Sequence, residues 1–543
     1  MKAYFVSNCR SFAKTSLHFL LLMASFSASN AWASFAENLT ISPEALSLGN
    51  AVTADPPGIF SIHYNPAGLR QFKEGLYNHV SFLLPPSVES TLKFEAPDDY
   101  DGVFGFTDDP VIGQTSEIEG FSAYIPGKGP YRIDDKFLPV PIGGVAYRPE
   151  GSKFVFANAA YAWLVAGLTR SPDDLAGGFA GREGVLQRIT FLSPSFSVEI
   201  NDNFAFGMSV GVNYSALYIE QDFRAANELL GLARFAAEEI CPAIRGTNGI
   251  PFLPPDCLGD NPLGPFNRIA TVQIEATDPF SLSYNLGVLW DVNPRFTLGL
   301  SYSSPLDANL RGEFRFDYDD SLRSTIAALN GDPFISIIMQ ILGLPTNVPA
   351  SEVGDVRIDL EFPDHFAIGT KYLLTDRLQM NIDWHWTDWE QWNRLNVILN
   401  RPTVATQLGQ FVGLSTVDRL GLQLGLENQP NFGIGFKYHW SSRITFKWGV
   451  EDRKSSVPDN KRSAQLPLGD TLLLGAGVTY KFTENMTLDF SLVHFSSKQF
   501  IPAGTSDNAN SEGIDNALSP FAGLDIKTET KATLAGFSIK ALF

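Results

Sequence analysis

The sequence predicts an all-β protein, a transmembrane antiparallel β-barrel of about 14 strands with an N-terminal hatch in its lumen. Three observations predict it. Apolar and polar residues alternate with period two along many long segments. The connections between those segments alternate between short and long. After an N-terminal leader, no stretch is apolar for the roughly 20 residues that a membrane helix needs, so a membrane span here must be a closed barrel.

The leader comes first because it sets the compartment. Lys2, Arg10 and Lys14 make a positive start, Leu17 to Phe26 a short apolar run, and Ala31-Trp32-Ala33 places small residues where a signal peptidase reads. Residues 1–33 are therefore expected to be cleaved, leaving Ser34 first. The whole chain carries a net charge of −19, and losing three leader cations makes the rest more negative. Nucleic acid is excluded as a partner. An acidic surface suits an outer leaflet of lipopolysaccharide, whose phosphates divalent ions can bridge to acidic loops. Cys9 leaves with the leader. Cys241 and Cys257 then remain in an oxidising compartment, where a disulfide is favoured over two free thiols.

The alternation is explicit. Phe204, Phe206, Met208, Val210, Val212 and Tyr214 are separated by Ala205, Gly207, Ser209, Gly211 and Asn213. Leu378, Met380, Ile382, Trp384 and Trp386 oppose Gln379, Asn381, Asp383 and His385. The chain ends in the same way, with Ala535, Phe537, Ile539, Ala541 and Phe543 against Gly536, Ser538 and Lys540. Successive side chains of a strand point to opposite faces, so each segment has one apolar face and one small or polar face. A soluble sandwich shares that pattern. These segments are longer than the usual ~5–6 residues, and Trp and Tyr collect near their ends, as in lipid-facing barrels.

The segments fall near 75–95, 136–149, 153–167, 185–200, 203–220, 270–292, 294–318, 353–374, 377–395, 428–440, 442–453, 467–483, 485–499 and 527–543. Short turns (148–153, 200–203, 292–295, 374–376, 440–443, 482–485) alternate with long loops, the asymmetry of periplasmic turns and outer loops. Residues 34–74 do not alternate. They are rich in Gly, Pro and small apolar residues and are expected to plug the lumen, which fourteen strands leave too wide for side chains to fill. Residues 75–543 then form the barrel and its loops.

Two outer loops look built for apolar cargo. In 319–352, Asp332 can cap a helix and Gly343 can end it. Between them Phe334, Ile337, Ile338 and Ile341 make a helix apolar nearly all round, which calls for a cover or a ligand. In 221–269, Leu229 and Phe235 recur at helical spacing. Either the two loops simply pack together, or they form a groove that captures an acyl chain. Other motifs argue less. Gly207-Met208-Ser209-Val210-Gly211 matches a nucleophile elbow, but it sits inside an alternating strand where no strand-to-helix turn exposes the serine. No other catalytic motif appears, so no enzyme, cofactor or metal is expected. Lys371, Lys437, Lys447, Lys481 and Lys540 take lumenal parity, where each can pair a substrate carboxylate or, with greater weight, acids of the hatch or wall such as Asp383 or Asp489.

Ser61-Ile62-His63-Tyr64-Asn65-Pro66-Ala67-Gly68-Leu69 resembles the hatch motif of the long-chain fatty acid outer-membrane transporter family (FadL type). Ser283 to Trp290, Gly299 to Pro305, Thr387-Asp388-Trp389, Ser456 to Asp459 and Gly475 to Phe482 support it in order along the chain. The resemblance implies capture among the outer loops, a lumenal pocket and sideways exit at a distorted third strand. It implies Asn65, Pro66 and Ala67 as the hatch motif, Phe35 as an aromatic beside the pocket, and Arg224 and Arg394 as pocket cations. It does not place the exit, because the third strand has no Pro and carries Gly167 only at its end. The expected function is passive uptake of long-chain fatty acids or similar hydrophobic compounds by a monomer. The alternatives are a hydrocarbon or aromatic-compound channel of the same family, a general diffusion porin, and a purely structural barrel.

Overall fold

A computed structural model describes residues 37–84, 86–133, 140–244, 258–411, 415–416, 418–465, 469–512 and 519–543. The leader, Phe35 and Cys257 lie outside these residues. Fourteen strands close into a barrel: β1 (Gly75–Leu83, resuming Ser87–Glu95), β2 (Val140–Arg148), β3 (Phe154–Thr169), β4 (Glu183–Leu192 and Ser195–Asn201), β5 (Phe204–Phe223), β6 (Ala270–Asn293) and β7 (Phe296–Ser303 and Leu306–Tyr318). The second half is β8 (Ser351–Phe362 and His365–Leu373), β9 (Leu378–Thr387 and Arg394–Leu399), β10 (Arg419–Gln423 and Gln429–His439), β11 (Ile444–Arg453), β12 (Thr471–Lys481), β13 (Met486–Ile501) and β14 (Asp525–Leu542). Neighbours pair antiparallel, and Val80 opposite Ile539 joins first strand to last. Closure pairs every strand with both neighbours over part of its length, as a barrel in lipid requires. The main departure from the sequence reading is β10, which starts at Arg419, earlier than the alternation suggests.

The outward positions carry the apolar belt. Phe82 stacks on Phe537 at 4.8 Å and Phe436 on Trp448 at 5.5 Å, cross-strand pairs that stabilise a sheet face. The inward positions are small because residues 37–74 pass against them. A Cβ on Gly207 or Gly287 would overlap Pro66, and one on Gly433, Gly449 or Gly475 would overlap the backbone of residues 46–49. Strand glycines here mark where another backbone comes close.

Local signals shape the hatch. Ser42 caps the helix Pro43–Ser47, and Asn65 caps the turn Pro66–Gln71, each with proline in its first turn. Asn65 also donates Nδ2 to Thr53 O (2.8 Å) and Val288 O (3.0 Å), stitching hatch to β6. Buried charges fasten the rest. Glu44 meets Lys540 at 2.5 Å, Lys437 at 3.4 Å and Lys447 at 3.7 Å. Asp55 meets Lys437 at 2.7 Å and Lys371 at 3.8 Å. Asp489 of β13 closes the cluster on Lys447 (2.6 Å) and Lys540 (3.0 Å). Burial pushes the Glu44 and Asp55 carboxyls up, but the lysines outweigh it. Glu44 is held well below the usual range and Asp55 at about 2. Four of the five lumenal lysines therefore bind acids of the hatch or the inner wall. The fifth, Lys481, pairs with Glu484 in the β12–β13 turn at 2.6 Å. Among the described residues Asp383 takes no lysine and instead accepts the Thr53 N–H at 2.6 Å.

Candidate functional site

Above the hatch lies a largely apolar cavity of about 1230 Å³. Its walls are the upper inward faces of β5 to β8, with Leu217, Ile219, Ile274 and Phe316. The outer loops roof it. The helix Glu228–Phe235, capped by Asn227, contributes Leu229, and the helix Asp320–Asn330 contributes Leu322, Ile326 and Leu329.

The apolar helix of the outer loop forms as read, Pro333–Ile341 with Asp332 accepting the N–H groups of Phe334 (2.9 Å) and Ile335 (3.0 Å). Its orientation differs from the expectation. Ile335 and Met339 are buried and Met339 lines the cavity, whereas Phe334, Ile337 and Ile341 face solvent, Ile341 at 78% exposure. Ile338 is half-buried and does not line it. A helix apolar on every side leaves the choice of face to packing. Phe235 likewise turns from the cavity to meet the Phe104 ring at 5.9 Å.

Of the two cations expected in the pocket, one reaches the cavity and one does not. Arg224 borders the cavity, but its guanidinium is fully buried and bidentate to Asp109 (2.8 and 2.9 Å), with Nε on Pro520 O. Its charge is already matched. Arg394 points away from the lumen, on the face opposite Leu395 and Val397, which do line the cavity.

Arg188 is the cation that the sequence reading missed. It lies on the inward face of β4, two residues from the lining residue Leu186, and is 7% exposed. Its Nε donates to Asn213 Oδ1 at 3.3 Å, and its guanidinium lies 4.9 Å from the Trp163 ring and 5.5 Å from that of Phe362. No carboxylate pairs with it among the described residues. Its signal was lumenal parity in a strand whose other inward residues, Gly184, Leu186 and Thr190, are uncharged.

The third strand is distorted where Trp163 steps out of the β3–β4 ladder, between Ala162 and Leu164. The hatch binds at that step. Asn38 N–H donates to Trp163 O (3.1 Å) and Thr40 Oγ1 to Ala162 O (2.8 Å). On its other edge β3 pairs with β2 only up to Ala160, and is bridged again at Thr169 by Gly120. β1 loses β2 after Leu83 and next pairs at Thr91 with the short strand Thr115–Glu117. Pro86, lacking an N–H, suits this gap. Among the described residues, 84, 86–89 and 161–168 have no strand partner across it. The cavity reaches both faces of the wall here. It touches the inward Tyr161 and Ala166, and also Ala162 and Val165, which pair with the outward Ile189 and Gln187. The strands thus frame a lateral window, and the hairpin Phe121–Ile125/Gly129–Ile133 packs over it, with Ser122 O against Gly167 and Tyr124 N–H donating to Gln187 Oε1 at 3.2 Å.

A family model for outer membrane protein transport proteins (OMPP1/FadL/TodX) matches residues 20–543. The chain belongs to this family. Its members are transporters and channels of the outer membrane, and hydrophobic compounds are what the family carries. The long-chain fatty acid transport protein of Escherichia coli O6:H1 is 24% identical over 322 residues, covering 59% of this chain and 61% of that protein. Outer membrane protein P1 of Haemophilus influenzae is 22% identical over 43% of this chain and 42% of its own length. These alignments reach less than two-thirds of the relatives. A putative outer membrane protein of Neisseria meningitidis serogroup B aligns at 22% over 92% of this chain and 94% of its own. Among solved structures, a FadL homologue of Pseudomonas aeruginosa superposes with a TM-score of 0.62 at 17% identity, covering 95% of this chain and all of that one. The toluene transporter TodX of Pseudomonas putida gives 0.57 at 12% identity, covering 95% and 99%. At those identities the structures speak for the fold alone. In this family member the elbow-like serine has no catalytic setting, since Ser209 is buried in β5 and donates to Ile62 O at 3.0 Å.

Proposed function

We propose that this family member takes up long-chain fatty acids by passive diffusion and is not an enzyme. The observation that carries the reading is Arg188, a buried guanidinium without a carboxylate partner among the described residues. It lies behind the cavity lining, between the lining residues Gln187 and Ile189, and a head group reaches it only by passing that lining. An unmatched buried charge is costly, and an anionic head group relieves that cost. A carboxylate on Arg188 gains charge-assisted hydrogen bonds of about 1.5–3 kcal/mol, while each methylene buried above it contributes about 0.8 kcal/mol. One charged end and a long apolar body describe a fatty acid. The acyl chain enters between the Glu228–Phe235 and Asp320–Asn330 helices, moves down the cavity, and leaves through the window beside Trp163. Residues 37–74, with Asn65, Pro66 and Ala67 against β5 and β6, plug the direct path to the periplasm, and the ion cluster around Glu44 holds them there. Cys241 is disulfide-bonded, and pairing with Cys257 would brace the loop that carries Leu229. The protein acts as a monomer, each barrel holding its own path.

The test is binding of a fluorescent long-chain fatty acid to purified protein, competed by palmitate and by toluene. Competition by palmitate at micromolar concentration supports the reading. Competition by toluene alone favours the second reading, an aromatic-hydrocarbon channel, which the apolar walls also suit.

A further inference from the structure

Parity places Glu183, Gln187 and Glu275 on the outside of the wall, between the window and β6. They stand opposite Glu220, Ala216 and Tyr218, which continue the outward row of β5 that runs from Phe204 to Tyr214. Two carboxylates and an amide offer no apolar surface to a hydrocarbon leaving the barrel. The hairpin Phe121–Ile125/Gly129–Ile133 covers them with one of its faces, where Ser122 and Tyr124 are buried. Ser122 Oγ donates to Glu183 Oε1 at 2.5 Å and Tyr124 Oη to Glu275 Oε1 at 2.6 Å. Gln187 Nε2 donates to Tyr124 O at 3.0 Å.

The other face is apolar. Phe121 stands opposite Ile133 and Ala123 opposite Tyr131, with Ile125 next along the strand. None of the five is buried, and Tyr131 is 52% exposed. All five line the same cavity that begins above the hatch, and Leu84, Pro86 and Val88 line it across the window. Alternation in a short hairpin thus lays a polar face on a polar wall and continues the apolar lining outside it. Barrel closure does not account for the hairpin, which forms a two-stranded sheet of its own.

We propose that this apolar face is an exit seat for a long hydrocarbon chain on the outside of the barrel. A chain leaving the window lies along Phe121, Ala123, Tyr131 and Ile133 before it enters the outer leaflet. The seat rests on the fatty-acid reading of the cavity and adds a second site to it. Its height suits transfer into lipid, because the ring of Tyr214, where the outward belt of β5 ends, lies 6.3 Å from that of Tyr124. Apolar contact is non-directional, so the seat holds the chain and the head group follows through the window.

The experiment uses the full-length protein in lipid nanodiscs, with the photocrosslinker p-benzoylphenylalanine replacing one aromatic residue at a time. Tyr131 reports the seat, and Phe223 reports the cavity that it lines inside the wall. Tyr147, 51% exposed on the outward face of β2 and outside the cavity lining, reports chance contact from lipid. Radiolabelled palmitate should crosslink at 131 and 223 at least tenfold more than at 147, and excess unlabelled palmitate should abolish both signals. Adding Phe121→Asp with Ile133→Asp should cut the signal at 131 at least fivefold, and Phe121→Leu with Ile133→Leu should keep it. Labelling at 223 with no more at 131 than at 147 overturns the exit seat and leaves the cavity reading standing. Labelling at neither 131 nor 223 overturns both. Undiminished labelling at 131 in an aspartate variant of normal heat-modifiable migration also overturns the seat. The comparison of 131 with 147 changes no apolar contact to a charge, so it decides even if the aspartate variant fails to fold.

Discussion

Trp163 and Arg188 are held together across the β3–β4 boundary, with the guanidinium 4.9 Å from the indole centroid. The residue that breaks the third strand is therefore also the platform for the unmatched cation beside the cavity. A step in the wall and a head-group site at the same place couple where a substrate binds to where it leaves.

The window predicts a separation of binding from transport. Ala162→Trp fills the gap from the outward side of β3 without touching Arg188. Fatty-acid binding should stay within about twofold of wild type while uptake by cells falls at least tenfold. Unchanged uptake would mean that substrate leaves elsewhere.

The roof predicts a contrast between two double variants. Ile326→Asp with Met339→Asp places two carboxylates against the cavity and removes about 3–6 kcal/mol of apolar burial, at ~1.5–3 kcal/mol per side chain. Fatty-acid affinity should fall more than tenfold. Ile337→Asp with Ile341→Asp changes only solvent-facing positions and should leave affinity and uptake within twofold, with heat-modifiable migration normal in both.

Much of this was readable from the chain. Alternation such as that of Phe204 to Tyr214 reports a physical period, and lipid outside with a hatch inside keeps it regular. The inward glycines were visible as small residues, though that Gly287 is the seat of Asn65 and Pro66 needed the fold. Site residues were harder. The charge of Arg224 is cancelled by Asp109, 115 residues away, a pairing that no local pattern reveals. Arg188 has lumenal parity in a regular stretch from Gly184 to Thr190, but no sequence pattern shows that it, unlike the lumenal lysines, meets no acid among the described residues. Ile337 and Ile341 face solvent because Ile335 and Met339 take the buried side, a choice that the run of apolar residues from Phe334 to Leu342 does not dictate.

The ion cluster predicts an acid limit for the plug. Folded-state values of Glu44 and Asp55 lie below their unfolded ones, so each contributes stability above its unfolded pKa, near 4.5 and 3.8. That contribution is lost as pH falls through the folded value, about 2 for Asp55. In planar bilayers the closed barrel should leak ions between pH 4 and 2. Glu44→Gln, which removes the shared acid of three lysines, should leak already at neutral pH. A variant as tight as wild type would show that the cluster does not hold the hatch.

The disulfide predicts that intact mass after alkylation without reductant shows no free thiol on Cys241 or Cys257. Closing a loop of about 15 residues contributes on the order of 3 kcal/mol in the chain-entropy model, so Cys241→Ser should loosen the loop carrying Leu229 and weaken fatty-acid binding several-fold. Two alkylated cysteines would contradict the pairing.

The head-group role of Arg188 is tested most directly by titrating wild type and Arg188→Gln with palmitate and with its methyl ester, which keeps the chain and removes the charge. Wild type should prefer the acid by at least tenfold, consistent with about 1.5–3 kcal/mol for the charged pair. Arg188→Gln should bind both ligands alike, at the wild-type affinity for the ester. Equal affinities in wild type, or an undiminished preference for the acid in Arg188→Gln, would contradict a fatty-acid channel built around this cation.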